Sequence, residues 1–104
     1  MRRGYGQYCP LALATELLCQ RWTVLVISRL LDGCTTFNEI HRGVPRISPS
    51  LLSQRLTELQ DAGIVERRER QGQKGIVYEL TQAGKDLEDI VWKMSVWVSN
   101  GRGT

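Results

Sequence analysis

Along most of this chain, apolar residues recur every three or four positions, the spacing of helices that bury one stripe. The clearest case is residues 47–63, where Leu52, Leu56 and Leu59 fall on one side. Ser48 can cap the first free N–H groups, Pro49 suits the first helical position, and Gly63 can close the end in a left-handed conformation. The opposite side carries Ser50, Ser53, Gln54, Thr57 and Glu58. Upstream, Cys9-Pro10 opens a helix whose stripe is Leu11, Ala14, Leu17 and Leu18. Residues 20–32 are apolar almost all round, which predicts a buried central helix ended by Gly33. Thr36 and Glu39 have the spacing of a capping box and open a short helix, anchored by Phe37 and Ile40 and ended near Arg42-Gly43.

Beyond Gly63 the period changes to two. Residues 64–70 and 76–80 read as strands, with Ile76, Tyr78 and Leu80 on one face and Glu79 on the other. The polar loop Gln71-Gly72-Gln73-Lys74-Gly75 between them is a hairpin tip. Thr81 then caps a last helix to about Ser99, with Leu87, Ile90, Val91, Met94, Trp97 and Val98 as its stripe. Short helix, turn, capped longer helix and basic hairpin predict a winged helix-turn-helix, mainly α with a small β-hairpin wing. Residues 1–8 are expected to be a flexible arm, 9–99 one domain for DNA binding and dimerisation, and 100–104 a polar tail. The chain stops soon after the last helix, which fits either a complete small protein or part of something longer.

Composition narrows the classes. A chain of 104 residues is one domain with a modest core, and its net charge of +3 permits nucleic acid without requiring it. Arg42, Arg46, Arg55, Arg67, Arg68, Arg70 and Lys74 cluster around the 47–63 helix, whereas the segment after Gly75 is slightly acidic. No apolar run approaches membrane-spanning length and no signal core opens the chain, so a cytoplasmic protein with no membrane partner is expected. Three cysteines without paired spacing fit a reducing compartment.

A double-stranded DNA operator suits this pattern. Gln54 can pair with an adenine edge, and Ser48, Ser50, Ser53, Thr57 and Arg55 can reach bases or phosphates from the same helix. Arg46 in the turn and Arg68, Arg70 and Lys74 in the wing are placed to flank phosphates. Polar residues make a solvated helix face equally well, and a winged helix that binds another protein and no DNA is the alternative. The basic wing beside a Ser/Gln-faced helix favours DNA. His41 is the single histidine and reads as a surface residue, and its spacing from the cysteines matches no metal site. No Gly-rich phosphate loop or paired nucleophile and base marks an enzyme, and no cofactor is called for. Leu87, Val91, Met94, Trp97 and Val98 offer more apolar surface than a small core needs, which points to a second copy of the chain. Cys9 is the candidate reactive thiol. It precedes the first turn of a helix, where free N–H groups favour a thiolate, and Arg2 and Arg3 add positive charge. A free cysteine is also often just a small buried hydrophobe. Cys19 at a helix end and Cys34 after Gly33 are worse placed.

Taken together, Cys9-Pro10, Arg21-Trp22-Thr23, Phe37-Asn38-Glu39-Ile40, Ile47-Ser48-Pro49, Leu52-Ser53-Gln54-Arg55-Leu56, Gly63-Ile64-Val65-Glu66-Arg67 and Tyr78-Glu79-Leu80-Thr81-Gln82-Ala83-Gly84 span nearly the whole chain. In this order they resemble the HxlR-type winged helix-turn-helix transcriptional regulators of bacteria. The resemblance implies a homodimer on operator DNA, joined through the first and last helices, which adds Leu11 to the interface. It also implies, for some members, a response to a small electrophile or oxidant through a cysteine near the first helix. Two departures stand out. Cys19-Gln20 occupy the place where the family usually has Gly before its Arg/Lys-Trp pair. Thr36 stands where a basic residue often precedes Phe-Asn-Glu and would contact DNA.

Overall fold

A computed structural model describes residues 9–70, 72 and 75–102. The arm over 1–8 with Arg2 and Arg3, the tip residue Lys74, and the tail's last two residues lie outside the described set. Helix α1, Pro10–Leu18, starts on Cys9 with Pro10 in its first turn. None of its residues is buried; Leu17 and Leu18 alone are half-covered. The chain then turns by 81° into α2, Thr23–Leu31. That helix starts three residues later than the pattern predicts, because Trp22 takes a left-handed φ of 79° and breaks the run. Its buried side is Thr23, Val26, Ile27 and Leu30, while Leu25 on the other side is 53% exposed. The expectation of a helix buried all round is therefore corrected. Gly33, at φ 97°, closes α2, and its N–H and that of Cys34 bind the Leu30 and Arg29 carbonyls.

Helix α3, Phe37–Gly43, carries the capping box in full: Thr36 Oγ1 accepts from the Glu39 N–H, and Glu39 Oε1 accepts from the Thr36 N–H at 3.1 Å. The turn to α4 is held from inside by Val44 and Ile47, both buried. The His41 ring donates from Nε2 to the Ile47 carbonyl at 2.9 Å, so this histidine is half-buried and ties α3 to the turn. It is not the surface residue expected.

Helix α4, Pro49–Asp61, begins at Ser48, whose Oγ accepts from the Leu51 N–H, and ends with Gly63 at φ 75°. Leu52, Leu56 and Leu59 are at most 1% exposed and seat it in the core shared with α2 and with Ile40 of α3. Burial of each contributes roughly 1.5–3 kcal/mol, so these three fix the depth of the helix. The wing follows as β1, Val65–Glu69, paired antiparallel with β2, Ile76–Leu80, with Val65 opposite Leu80 and Glu69 opposite Ile76. The Tyr78 N–H binds the Thr35 carbonyl at 2.7 Å, which pins the wing to the loop before α3.

The last helix is two helices, not one. Thr81 caps α5, Gln82–Lys85, by accepting from the Gly84 N–H, and its hydroxyl also donates to the Gly63 carbonyl at 2.6 Å. The chain then bends at Asp86-Leu87 into α6, Glu88–Ser99. Gly84 causes the close docking of α5: a Cβ there would stand 2.5 Å from the Ile64 carbonyl oxygen. Helix α6 has no buried residue; its start packs on α2 and the rest projects. Among the described residues no single helix is long and apolar enough to cross a membrane.

Candidate nucleic-acid interface

Since Leu52, Leu56 and Leu59 face inward, helical geometry turns Ser50, Ser53, Gln54 and Thr57 outward together. All four are exposed. The Thr57 hydroxyl donates back to the Ser53 carbonyl at 3.0 Å, which leaves its oxygen as an outward acceptor. Gln54 Nε2 donates to Glu58 Oε2 at 3.2 Å, so the amide is oriented along the helix. At the start of α4, Ser48 and Arg46 are exposed.

Arg55 does not belong to this face. It is 9% exposed, and its Nε donates to the Arg21 carbonyl at 2.9 Å while Nη1 pairs with Glu58 Oε1 at 2.9 Å. The guanidinium thus lies under the helix, against the start of α2. The sequence held a signal for this. Leu59, four residues on, is only about 40° round the helix, so Arg55 shares the inner half-turn.

The wing divides its arginines. Arg70 lines a cleft of about 520 Å³ together with Thr36, Asn38 and Arg42. Arg68 pairs with Glu79 across the strands and lines a different cleft with Leu30, Leu31, Cys34 and Lys85. The structure therefore gathers Thr36 and Arg70 and adds Asn38 and Arg42 to them. Arg42 was visible as charge alone, and Asn38 gave no signal beyond its motif. In the same cleft Glu39 sits below its ordinary carboxylate value, because the Thr35 N–H, then the Thr36 N–H, bind its anionic form.

Arg29 is a residue the sequence reading missed. Its Nη2 donates to the Glu39 carbonyl at 2.8 Å, and its side chain crosses the place a Cβ on Gly43 would occupy. It clamps α3 onto α2.

Apart from these polar surfaces, α1, α2 and α6 enclose a groove of about 500 Å³, lined by Leu11, Leu18, Cys19, Trp22, Leu87 and Val91 among others. Leu87 and Val91 are half-buried against the core, whereas Leu11, Met94, Trp97 and Val98 are exposed. Cys9 is exposed at the α1 start, Cys19 is exposed at the groove, and Cys34 is half-buried.

Comparison with known proteins agrees with this architecture. The profile of the HxlR-like helix-turn-helix family matches residues 17–103. The uncharacterised HTH-type transcriptional regulator YvaP of Bacillus subtilis is 36% identical over 96 residues, covering 90% of this chain and 89% of that protein. The HTH-type transcriptional regulator YodB of Bacillus subtilis is 37% identical over 91 residues, covering 86% and 81%. Its reduced form superposes with a TM-score of 0.81 over 93% of this chain and 97% of that one, at 34% identity. YodB has also been solved bound to quinone. The redox regulator HypR in its oxidised form gives a TM-score of 0.82 over 92% and 100%, at 32% identity.

Proposed function

The chain belongs to the HxlR-like helix-turn-helix family of transcriptional regulators, and from that premise we propose that it reads an operator as a homodimer and answers a thiol-reactive signal. The outward face of α4 carries the reading. Ser50, Ser53, Gln54 and Thr57 form a strip free of apolar side chains, on a helix seated by three buried leucines. Such a strip enters a major groove, where Gln54 meets a base edge and the hydroxyls meet bases or phosphates. Arg46 and Ser48 at the head of α4, and Thr36, Arg42 and Arg70 in the cleft before the wing, flank the strip and take the backbone. Lys74 is assigned to phosphate on its place in the hairpin tip alone.

The second copy covers the groove side, where Leu11 is 70% and Trp97 52% exposed. A two-fold arrangement sets the two α4 helices about 34 Å apart, one turn of DNA. Cys9 supplies the thiol. Its relatives YodB and HypR, a quinone-bound protein and a redox regulator, support a response of this kind. Alkylation or oxidation at the α1 start then shifts one subunit against the other.

The test is binding to the DNA upstream of the chain's own gene and to random duplex, each at two salt concentrations. Tighter binding to the upstream DNA that persists at the higher salt is expected. Equal affinity for both duplexes overturns operator reading. The same assay after a mild oxidant, with wild type and Cys9→Ser, tests the thiol: the variant should keep its affinity where wild type changes.

A further inference from the structure

Three leucines hold α4 to the core, and apolar contacts have no direction. They set how deep the helix sits and which half of it faces inward, and a directional bond then fixes its rotation more finely. The directional restraint comes from Arg55. Its guanidinium makes two charge-assisted hydrogen bonds in fixed geometry, one to the Arg21 carbonyl, 34 residues away, and one to Glu58. Glu58 uses its other oxygen to accept from Gln54. A continuous chain of bonds therefore runs from the outward amide of Gln54 through Glu58 and Arg55 to the backbone at the start of α2.

That backbone is itself held in a disfavoured state. The Arg21 carbonyl belongs to the peptide that enters Trp22, and swinging this peptide changes φ of Trp22. Trp22 is the one non-glycine residue with positive φ among those described, at 79°. A side chain with a Cβ avoids that region. The bond from Arg55 fixes the peptide plane that imposes it. Trp22 also carries the Arg21 guanidinium over its ring at 4.9 Å and lines the apolar groove beside Leu18 and Cys19.

We infer that Arg55 is a positioning residue and not a DNA contact: it locks the rotation of the recognition helix to the Arg21–Trp22 peptide at the wall of the groove. The inference rests on the reading of α4 as the helix that enters DNA. Coupling of this kind acts in both directions. A change at the groove that moves Trp22 turns α4, and operator binding is felt at Trp22.

The full chain is compared as wild type, Arg55→Met, Arg55→Lys and Gln54→Ala. Affinity for the upstream and random duplexes is measured over a salt series, and the Trp22 indole N–H is followed by NMR, assigned with Trp22→Phe. Arg55→Met should lose about tenfold in affinity for the upstream DNA, with the preference over random DNA shrinking and the salt slope unchanged. Operator DNA should shift the Trp22 indole in wild type and leave it still in Arg55→Met. A slope smaller by about 0.9 marks a lost phosphate contact and overturns the inference. So does undiminished discrimination, or an indole shift that survives in Arg55→Met. Should Arg55→Met fail to fold, Arg55→Lys decides. It keeps the charge a phosphate would need and loses the fork, so reduced discrimination supports positioning and full discrimination refutes it. Loss with Gln54→Ala but not at Arg55 removes this inference alone. No loss with either removes the reading of α4 as well.

Discussion

Gln54 reaches outward with one amide hydrogen committed to Glu58. Its second amide hydrogen and its Oε1 remain for an adenine edge, which offers one acceptor and one donor. Truncation by Gln54→Ala should therefore cost about 1–3 kcal/mol on the cognate duplex and much less on random DNA. Fluorescence anisotropy with both duplexes reads this directly, and equal losses would demote Gln54 to a positioning contact. Gly84 shows a residue whose role is wholly tertiary. A methyl group there would stand 2.5 Å from the Ile64 carbonyl oxygen and 2.8 Å from Leu80 Cδ2. The side chain can yield but the backbone oxygen cannot, since Ile64 also accepts from the Thr81 N–H at 2.9 Å. Gly84→Ala should lower the unfolding free energy by roughly 1–3 kcal/mol, seen as an earlier denaturant midpoint. The helical period places Arg55 on the inner half-turn, but neither its partner on the Arg21 carbonyl nor the approach at Gly84 follows from local pattern. Each depends on which distant carbonyl lies opposite.

Element boundaries were far more legible, because caps are local chemistry. Ser48-Pro49, Thr36 with Glu39, and Gly63 each satisfy free backbone groups within a few residues, and each sits where the pattern places it. The two misplaced boundaries involve non-local contacts. The turn that makes Trp22 left-handed is closed by the Thr23 N–H on the Gln20 carbonyl and takes a further bond from Arg55 of α4 on its Arg21 carbonyl, and the α5–α6 bend comes just after the docking of Gly84 on Ile64. The α3 cap also carries a pH signature. Glu39 is lowered from an ordinary value of 4.5 by the N–H groups of Thr35 and Thr36. A carboxylate depressed in the folded state contributes stability above its unfolded pKa, and the contribution fades as pH falls through the folded value. Wild type should therefore exceed Glu39→Gln in thermal stability at neutral pH, with the gap closing as pH falls below the ordinary carboxylate value of 4.5. A gap that stays constant into acid would mean that the charge of Glu39 adds nothing to the cap.

The molecule as a whole presents two unlike sides. The α4 strip and the α3–wing cleft are polar and basic, whereas α1 and the outer part of α6 carry large apolar side chains in the open. Leu11, Trp92, Met94 and Trp97 are each at least half exposed. Covering the exposed half or more of each such side chain contributes roughly 1–2 kcal/mol, so a partner surface that covers four from each copy offsets the entropy lost on association. The groove edge at Leu11 and Leu87 gives that surface shape. Sedimentation at micromolar concentration should accordingly show the mass of a dimer. Placing charge at its centre with Trp97→Glu should shift the mass to a monomer and weaken binding to a palindrome far more than to a half-site. The eleven-residue core does not include Trp97, which is 52% exposed, so the variant should keep its helical circular dichroism. A folded Trp97→Glu that remains dimeric would move the interface off the end of α6 and onto α1. A wild-type monomer that still binds a palindrome tightly would remove the two-fold arrangement altogether.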